Sequence, residues 1–344
     1  MMNNDKIYGL AKVGEFLFDF LAQAPDNYNA TQQSFANVLK QSKVENPWFD
    51  EPNMRFALNT WAQLLNVEAI KAWLAKYSFQ NSGKKVGLIL AGNIPMVGWH
   101  DVMSVILSDN IPMIKLSSKD RLVIPFLLNL WKEFSNDSVQ YELVERLENF
   151  DAVIATGSNN TARYLEYYFK DKSAIIRKNR TSLAVLSGDE TDEELQKLAD
   201  DIFIYYGLGC RNVTRLLIPE NFKLDRLFEN FLNYQNIINH NKYANNYDYN
   251  RAVYLLNQDQ FWDNNFVMLK QDDKLFSPLS VLHFSRYKTL EDISDFIKEN
   301  ENEIQTIVTN MDLEFESIKL GMAQQPALDT YADNVDTMAF LCAL

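Results

Sequence analysis

Apolar residues in the first eighty positions recur at three- and four-residue spacing without strand-like alternation. They predict helices over 6–22, 29–47 and 52–78. Leu17, Phe18, Phe20 and Leu21 in the first, and Trp61, Leu64 and Leu65 in the third, form the stripes expected to face a core. The texture changes at Lys85. Short apolar runs at 85–91, 112–115, 152–155 and 173–176 read as strands, and helical periods at 97–107, 122–134 and 161–169 separate them. Strands that are apolar on both faces and alternate with helices predict a parallel sheet covered on both sides.

A second series follows. Leu183–Leu186 reads as a strand, and Thr191 as the cap of a helix whose first turn, Asp192-Glu193-Glu194, suits the positive end of the helix dipole. Leu195, Leu198, Ile202 and Phe203 keep the helical period, and Gly207 is expected to end it in the left-handed conformation. The strand 213–218 closes at Pro219. Residues 223–263 are helical or irregular and rich in Asn and Tyr. Further strands are predicted at 266–270, 280–284 and 305–309, with a helix at 290–297. The change of texture near residue 180 divides the chain into a first domain of residues 1–181 and a second of 182–315. The segment 316–344 is expected either to return to the first domain or to form an oligomer contact.

Composition narrows the function classes. Of 344 residues, 47% are hydrophobic and 23% charged, which excludes wholesale disorder. A net charge of −13 argues against nucleic acid as a partner, because phosphate binding rests on clustered Lys and Arg. No apolar stretch approaches the roughly 20 residues of a membrane span, and Met1–Lys6 lacks the basic-then-apolar pattern of a secretory leader. Two cysteines make no disulfide framework, so a cytoplasmic location is expected. The three histidines, His100, His240 and His283, are widely spaced and no CxxC occurs, so no metal site is expected.

The 11 glycines concentrate between 83 and 209, and none occurs from 210 to 320. That places the tight backbone geometry in the middle third. The turns 92–95, 116–119 and 156–159 follow predicted strands, and ligands of parallel sheets bind outside the carboxyl ends of strands. Cys210 stands in Tyr206-Gly-Leu-Gly-Cys-Arg-Asn-Val213, between a helix and a strand and beside Arg211. Glycines give the sulfur access and the neighbouring cation favours the thiolate, so Cys210 is the candidate nucleophile; a small buried hydrophobe is the alternative. Cys342, in an apolar run, reads as core. Arg177, Lys178, Arg180, Arg211 and Arg215 form a local basic concentration, read as a solvated face with phosphate attraction as the alternative. His100 is read as structural, with proton donation the alternative. There is no GxSxG, GxxxxGK[ST], HExxH or GxGxxG.

Five segments, taken in order, carry a resemblance: Ala91-Gly-Asn-Ile-Pro95, Ile114-Lys-Leu-Ser-Ser118, Thr156-Gly-Ser158, Tyr206-Gly-Leu-Gly-Cys-Arg-Asn212 and Leu275-Phe-Ser-Pro278. The sequence resembles the aldehyde dehydrogenase superfamily, which binds NAD(P) without the usual glycine fingerprint. Within it, the Gly207–Arg215 run and the closing Tyr331–Met338 are similar to the bacterial acyl-CoA reductases, including the lux-type fatty acid reductase component. The resemblance implies an α/β fold: a Rossmann-type parallel-sheet domain that binds NAD(P), plus a smaller α/β catalytic domain carrying Cys210.

It also implies roles. Cys210 accepts the acyl group, and Asn93, with the Cys210 backbone N–H, stabilises the oxyanion. Lys115, Ser117 and Ser118 lie toward the adenosine ribose, Gly157 and Ser158 near the pyrophosphate, and Phe276 near the nicotinamide. Ser118 stands where many NAD-preferring members have Glu, which favours NADPH over NADH. The implied reaction is NADPH-dependent reduction of a long-chain fatty acyl-CoA or acyl thioester to the aldehyde. Partners implied are an acyl-protein synthetase and further copies of the chain.

Two departures bear on direction. Oxidising members carry a water-activating Glu before the strand at 183–186, whereas this chain has Ile175-Ile-Arg-Lys-Asn-Arg180. Without that base hydride attack is favoured over hydrolysis. Lys274 replaces a Glu that usually precedes the Phe276 segment. An oxidising, CoA-acylating aldehyde dehydrogenase and a non-catalytic scaffold subunit of an acyl-activating complex are the alternatives.

Overall fold

Lys85–Ile89 (β1) is the central strand of a five-stranded parallel sheet in the computed structural model, which describes residues 4–79 and 83–344. Two compact units are present, one of residues 1–178 with 327–344 and one of 179–326. Met1–Asn3, where a leader pattern was sought, lie outside the described residues.

The first unit opens with four helices: α1 (Asn4–Ala22), α2 (Ala30–Glu45), α3 (Glu51–Leu64) and α4 (Val67–Leu74). Ile7, Leu10, Leu17 and Phe20 of α1 join the core, but Phe18 is 60% exposed, so the expected stripe is narrower by that residue. The helix predicted at 52–78 is two helices. Leu65 leaves helical geometry, and Asn66 restarts it by accepting the Ala69 N–H at 2.9 Å. After β1 come α5 (Trp99–Leu107), β2 (Ile111–Lys115), α6 (Val123–Phe134), the short β3 (Glu142–Leu143), β4 (Ala152–Thr156), α7 (Asn159–Tyr168) and β5 (Ser173–Arg177). Their order across the sheet is β3-β2-β1-β4-β5. Val86, Leu88, Ile114, Ala152 and Ile154 are buried, as the uninterrupted apolar runs require.

The second unit holds a six-stranded sheet. Its elements are β6 (Thr181–Val185), α8 (Asp192–Phe203), β7 (Val213–Pro219), α9 (Asp225–Asn230), α10 (Asn241–Asn257), β8 (Trp262–Asp263), β9 (Met268–Gln271), β10 (Val281–Tyr287), α11 (Leu290–Asn300) and β11 (Ile304–Val308). The order is β11-β6-β7-β10-β9-β8, with only the β8–β9 pair antiparallel. Thr191 and Glu194 form a reciprocal capping box at the start of α8.

The chain ends in α12 (Thr337–Cys342), whose Met338 and Leu341 join the first unit's core with Leu328 and Tyr331. Cys342 packs against that core, and burial pushes its thiol up to about 11. Among the described residues no helix is long and apolar enough to cross a membrane.

Candidate active site

From β1 the chain proceeds outward through β2 and β3, then returns to place β4 on the other side of β1. The carboxyl ends of β1 and β4 therefore flank a topological switch point, where parallel sheets form their ligand crevice. The turn after β1 carries Asn93, whose side chain is exposed. This turn meets the turn after β2 closely: a Cβ on Gly92 would lie 2.5 Å from Ser117 Oγ and 2.7 Å from Ser117 Cβ. Only glycine permits that approach. The Asp120 carboxylate, 4% exposed, accepts the Met96 N–H at 2.8 Å. Met96 has φ 58°, a sparsely populated conformation for a non-glycine residue, and this bond holds it there.

Lys115 ends β2 with its side chain exposed, level with Ile89 of β1. Ser117 is half-buried and its Oγ accepts the Lys119 N–H at 3.2 Å, while Ser118 is exposed. Beyond β4, Gly157 donates its N–H to the Arg177 carbonyl at 3.1 Å. Ser158 caps α7, its Oγ accepting the Thr161 N–H at 3.3 Å. The first unit thus brings Asn93, Lys115, Ser117, Ser118, Gly157 and Ser158 to one edge of its sheet.

Lys178 of the basic concentration is exposed, as expected, and pairs with Glu166, but Arg177 and Arg215 do not belong to a solvated face. Arg177 is buried, donating to both oxygens of Asp101, one at 2.8 Å, and to Thr337 Oγ1 at 2.9 Å. Arg215 has no exposed surface. It donates to the carbonyls of Asp272 and Lys274 and to Ser285 Oγ, and burial lowers it to about 10. Charges this far from water are retained because partners within the fold satisfy them. His100 lies among Trp61, Trp73 and Tyr331, with Nε2 2.8 Å from the Leu328 carbonyl. Burial lowers its proton affinity, in keeping with a structural role.

Cys210, half-buried, lies in the turn between α8 and β7. The helix ends at Phe203 and not at Gly207, because Asn212 takes over its last carbonyls. The Asn212 amide donates to the carbonyls of Asp201, Ile202 and Ile204 at 3.1, 3.2 and 2.8 Å. Its Oδ1 accepts the Gly209 N–H at 2.8 Å. Tyr205 and Tyr206 then take φ 58° and 60°, and Gly207 takes φ 77°, as its left-handed reading required. Such strain in bulky residues persists only where the surroundings over-determine it. Ser182 Oγ holds the Cys210 carbonyl at 3.1 Å, and Arg211 Nε donates to the Ala323 carbonyl at 2.6 Å.

Phe276 lies in the connection from β9 to β10 and is half-buried against the core cluster containing Leu275, Ile293 and Ile297. Since β7 and β10 are parallel neighbours, the Cys210 turn and the Phe276 segment lead into adjacent strands at one sheet edge. Thr214 Oγ1 donates to the Leu275 carbonyl at 3.4 Å. A cavity of about 60 Å³ is lined by Tyr206, Gly207, Thr214, Tyr243, Pro278 and Leu279 among others, with neither Cys210 nor Phe276 in its lining. Among the described residues, no group of three His, Cys, Asp or Glu side chains is placed to hold a metal ion.

Sequence reasoning missed Asp120, Asp201, Asn212 and Ser182. Asn212 stood inside a quoted segment, and its type, an amide three residues after Gly209, was the one available signal. The others act across long sequence separations and leave no local pattern.

Residues 63–226 match the family model described as acyl-CoA reductase (LuxC). No curated protein matches the chain. Solved structures show the fold. Aldehyde dehydrogenase 21 from Physcomitrella patens, in complex with the reaction product succinate, is 13% identical with a TM-score of 0.69, over 100% of this chain and 84% of its own. An aldehyde dehydrogenase of Mycobacterium tuberculosis, complexed with NAD+, is 12% identical with a TM-score of 0.65, over 99% of this chain and 84% of its own. An NAD-dependent aldehyde dehydrogenase from Sinorhizobium meliloti is 14% identical with a TM-score of 0.62, over 90% and 70%. The resemblance is borne out at the level of the fold, which is that of the aldehyde dehydrogenases, and residues 63–226, which hold the first four of the five segments, match the acyl-CoA reductase (LuxC) family model.

Proposed function

We propose that the protein reduces a fatty acyl-CoA, or a related acyl thioester, to the aldehyde through an acyl-Cys210 intermediate, with NADPH as reductant. The observation that carries this reading is the Cys210 turn. It is strained, cross-braced by Asn212 and Ser182, and set in a segment matching the acyl-CoA reductase family.

The Cys210 thiolate attacks the thioester carbon and the carbonyl electrons move onto oxygen. The oxyanion collapses, the bond to CoA sulfur breaks, and CoA leaves as a thiolate that takes a proton from solvent. Asn93 and the Cys210 backbone N–H are the proposed donors to that oxyanion; one such donor is worth about 10²–10³ in rate. The reduced nicotinamide cofactor, when bound, supplies the hydride that converts the acyl-enzyme to a thiohemiacetal anion. Breaking of its carbon–sulfur bond releases the aldehyde and restores the Cys210 thiolate. Covalent catalysis thus divides one difficult step into two.

The turns at the switch point fit such a cofactor. The exposed Lys115 and Ser118 offer a cation and a hydroxyl at the end of β2, and the N-terminus of α7, behind Gly157 and Ser158, offers backbone N–H groups to a phosphate. Phe276 is proposed to contact the nicotinamide. An exposed Ser118 in place of a carboxylate removes repulsion against a 2′-phosphate, which supports NADPH over NADH. The segment 175–180 contains no carboxylate to activate water, which supports reduction over oxidation.

The test is incubation with radiolabelled acyl-CoAs of increasing chain length, with and without NADPH. Label is expected on Cys210 without NADPH and in aldehyde with it, and Cys210→Ala is expected to lose both. Full turnover in that variant would remove Cys210 from the mechanism. Oxidation of aldehyde with NADP+ and CoA, without measurable reduction of any acyl-CoA, would favour the CoA-acylating direction.

A further inference from the structure

We propose that Arg211 is the counter-ion of the Cys210 thiolate, and that Asp201 keeps it in place by clamping the backbone segment 321–323 on which its guanidinium rests. This proposal rests on Cys210 being the nucleophile, and its test is separable from that of the acyl transfer.

Arg211 Nε donates to the Ala323 carbonyl, so the guanidinium is seated on a backbone segment far away in sequence. That segment is itself held. Both oxygens of the fully buried Asp201 carboxylate are used, accepting the Gly321 N–H at 2.6 Å and the Ala323 N–H at 2.8 Å. The Asp201 carbonyl in turn accepts from Asn212, in the turn that presents the sulfur, and from Gln324 at 3.4 Å. One residue of α8 therefore ties together the Cys210 turn and the seat of Arg211.

Charge balance supplies the rest. Arg211 is half-buried, and an arginine partly shielded from water keeps its proton and is stabilised by a nearby anion. Burial lowers Arg211's proton affinity, and the Cys210 sulfur and Asp201 carboxylate oppose that effect. Asp201 is a partial anion at neutral pH, because burial raises it to about 7 against its two N–H bonds. On this proposal the sulfur, adjacent in the chain, shares the guanidinium with the Asp201 carboxylate. An opposite charge close by favours the charged form of a thiol, which would supply thiolate before any substrate arrives.

The experiment measures the rate of Cys210 alkylation by iodoacetamide as a function of pH, resolved by mass spectrometry, with Cys342 in the same molecule as an internal reference. Arg211→Gln is expected to move the Cys210 midpoint up by about one pH unit or more, a roughly tenfold slower reaction at neutral pH, and Arg211→Lys to restore part of it. Gly321→Ala leaves every charge in place but strains a residue at φ 87° and brings a Cβ to 2.9 Å from Lys197. It is expected to give a smaller upward shift by displacing the seat. Cys342 is expected to react equally slowly throughout. If Arg211→Gln folds, an unchanged Cys210 midpoint overturns the proposal. If it does not fold, an unchanged midpoint in Gly321→Ala does so. Failure of acyl-CoA to label the wild type would instead refute the acyl-transfer reading and leave this result standing.

Discussion

The Asp120 carboxylate accepts the Met96 N–H at 2.8 Å through one oxygen, while its other oxygen is buried with no hydrogen-bond partner among the described residues. One bond thus joins the turn carrying Asn93 to the turn carrying Ser117 and Ser118, and half of the carboxylate's bonding capacity is left unused.

The consequence is a stability that depends on pH. Burial raises Asp120 to about 6 from its ordinary 3.8. A carboxyl raised in the folded state contributes its stability in full below the unfolded value and loses it as pH rises through about 6. Asp120→Asn keeps an oxygen for the Met96 amide and removes the charge. It is expected to be the more stable protein at about pH 8, by no more than about 3 kcal/mol, with the gap closing as pH falls toward about 4. Urea unfolding at several pH values measures it. A variant less stable at about pH 8 would show that the charge itself holds the turn.

Asp101 and Arg177 give the opposite case, a buried pair with both members engaged. Asp101→Ala is expected to cost about 3–5 kcal/mol, because the guanidinium remains buried without its anion. The double replacement Asp101→Leu with Arg177→Met should recover most of that loss. Denaturant midpoints decide, and equal losses in single and double variants would show that the ion pair is not the source.

Asn212→Ala removes the donor to three carbonyls and the acceptor of the Gly209 N–H. A loss of about 2–4 kcal/mol is expected from the orphaned groups, together with slower acylation at a nearly unchanged KM for NADPH. Stopped-flow acylation and thermal unfolding separate the two effects. A variant that acylates at the wild-type rate would show that the turn holds its shape without this amide.

Ser118→Glu places a carboxylate at the exposed end of β2. The ratio of kcat/KM for NADPH over NADH is expected to fall about tenfold, or roughly 1.4 kcal/mol. An unchanged ratio would move the adenosine ribose away from this turn.

The strands were legible because those buried on both faces must be apolar throughout, and the turns because glycine is scarce enough in this chain to mark them. Gly92 shows the limit of that reading. The sequence placed it at a turn, but the need for a missing side chain comes from Ser117, on another turn. Gly207 shows another: its left-handed backbone was expected, but the end of α8 lies four residues earlier, where Asn212 takes the Asp201 and Ile202 carbonyls. Two arginines of the basic concentration, Arg177 and Arg215, misled for the same reason. Local counting cannot tell an arginine that faces water from one, such as Arg215, that braces a loop from inside the sheet.

By itself the sequence determined the alternation of strands and helices, the cysteine at the glycine-flanked bend and the order of segments that mark the family, because periodicity, backbone freedom and residue chemistry are local properties. Tertiary structure alone decided which charges are buried, which carboxylates clamp distant backbone and how the Cys210 turn is braced. Those outcomes depend on partners as far apart in the chain as Asp201 and Ala323, and hydrogen bonding across such separations leaves no periodic trace in the sequence.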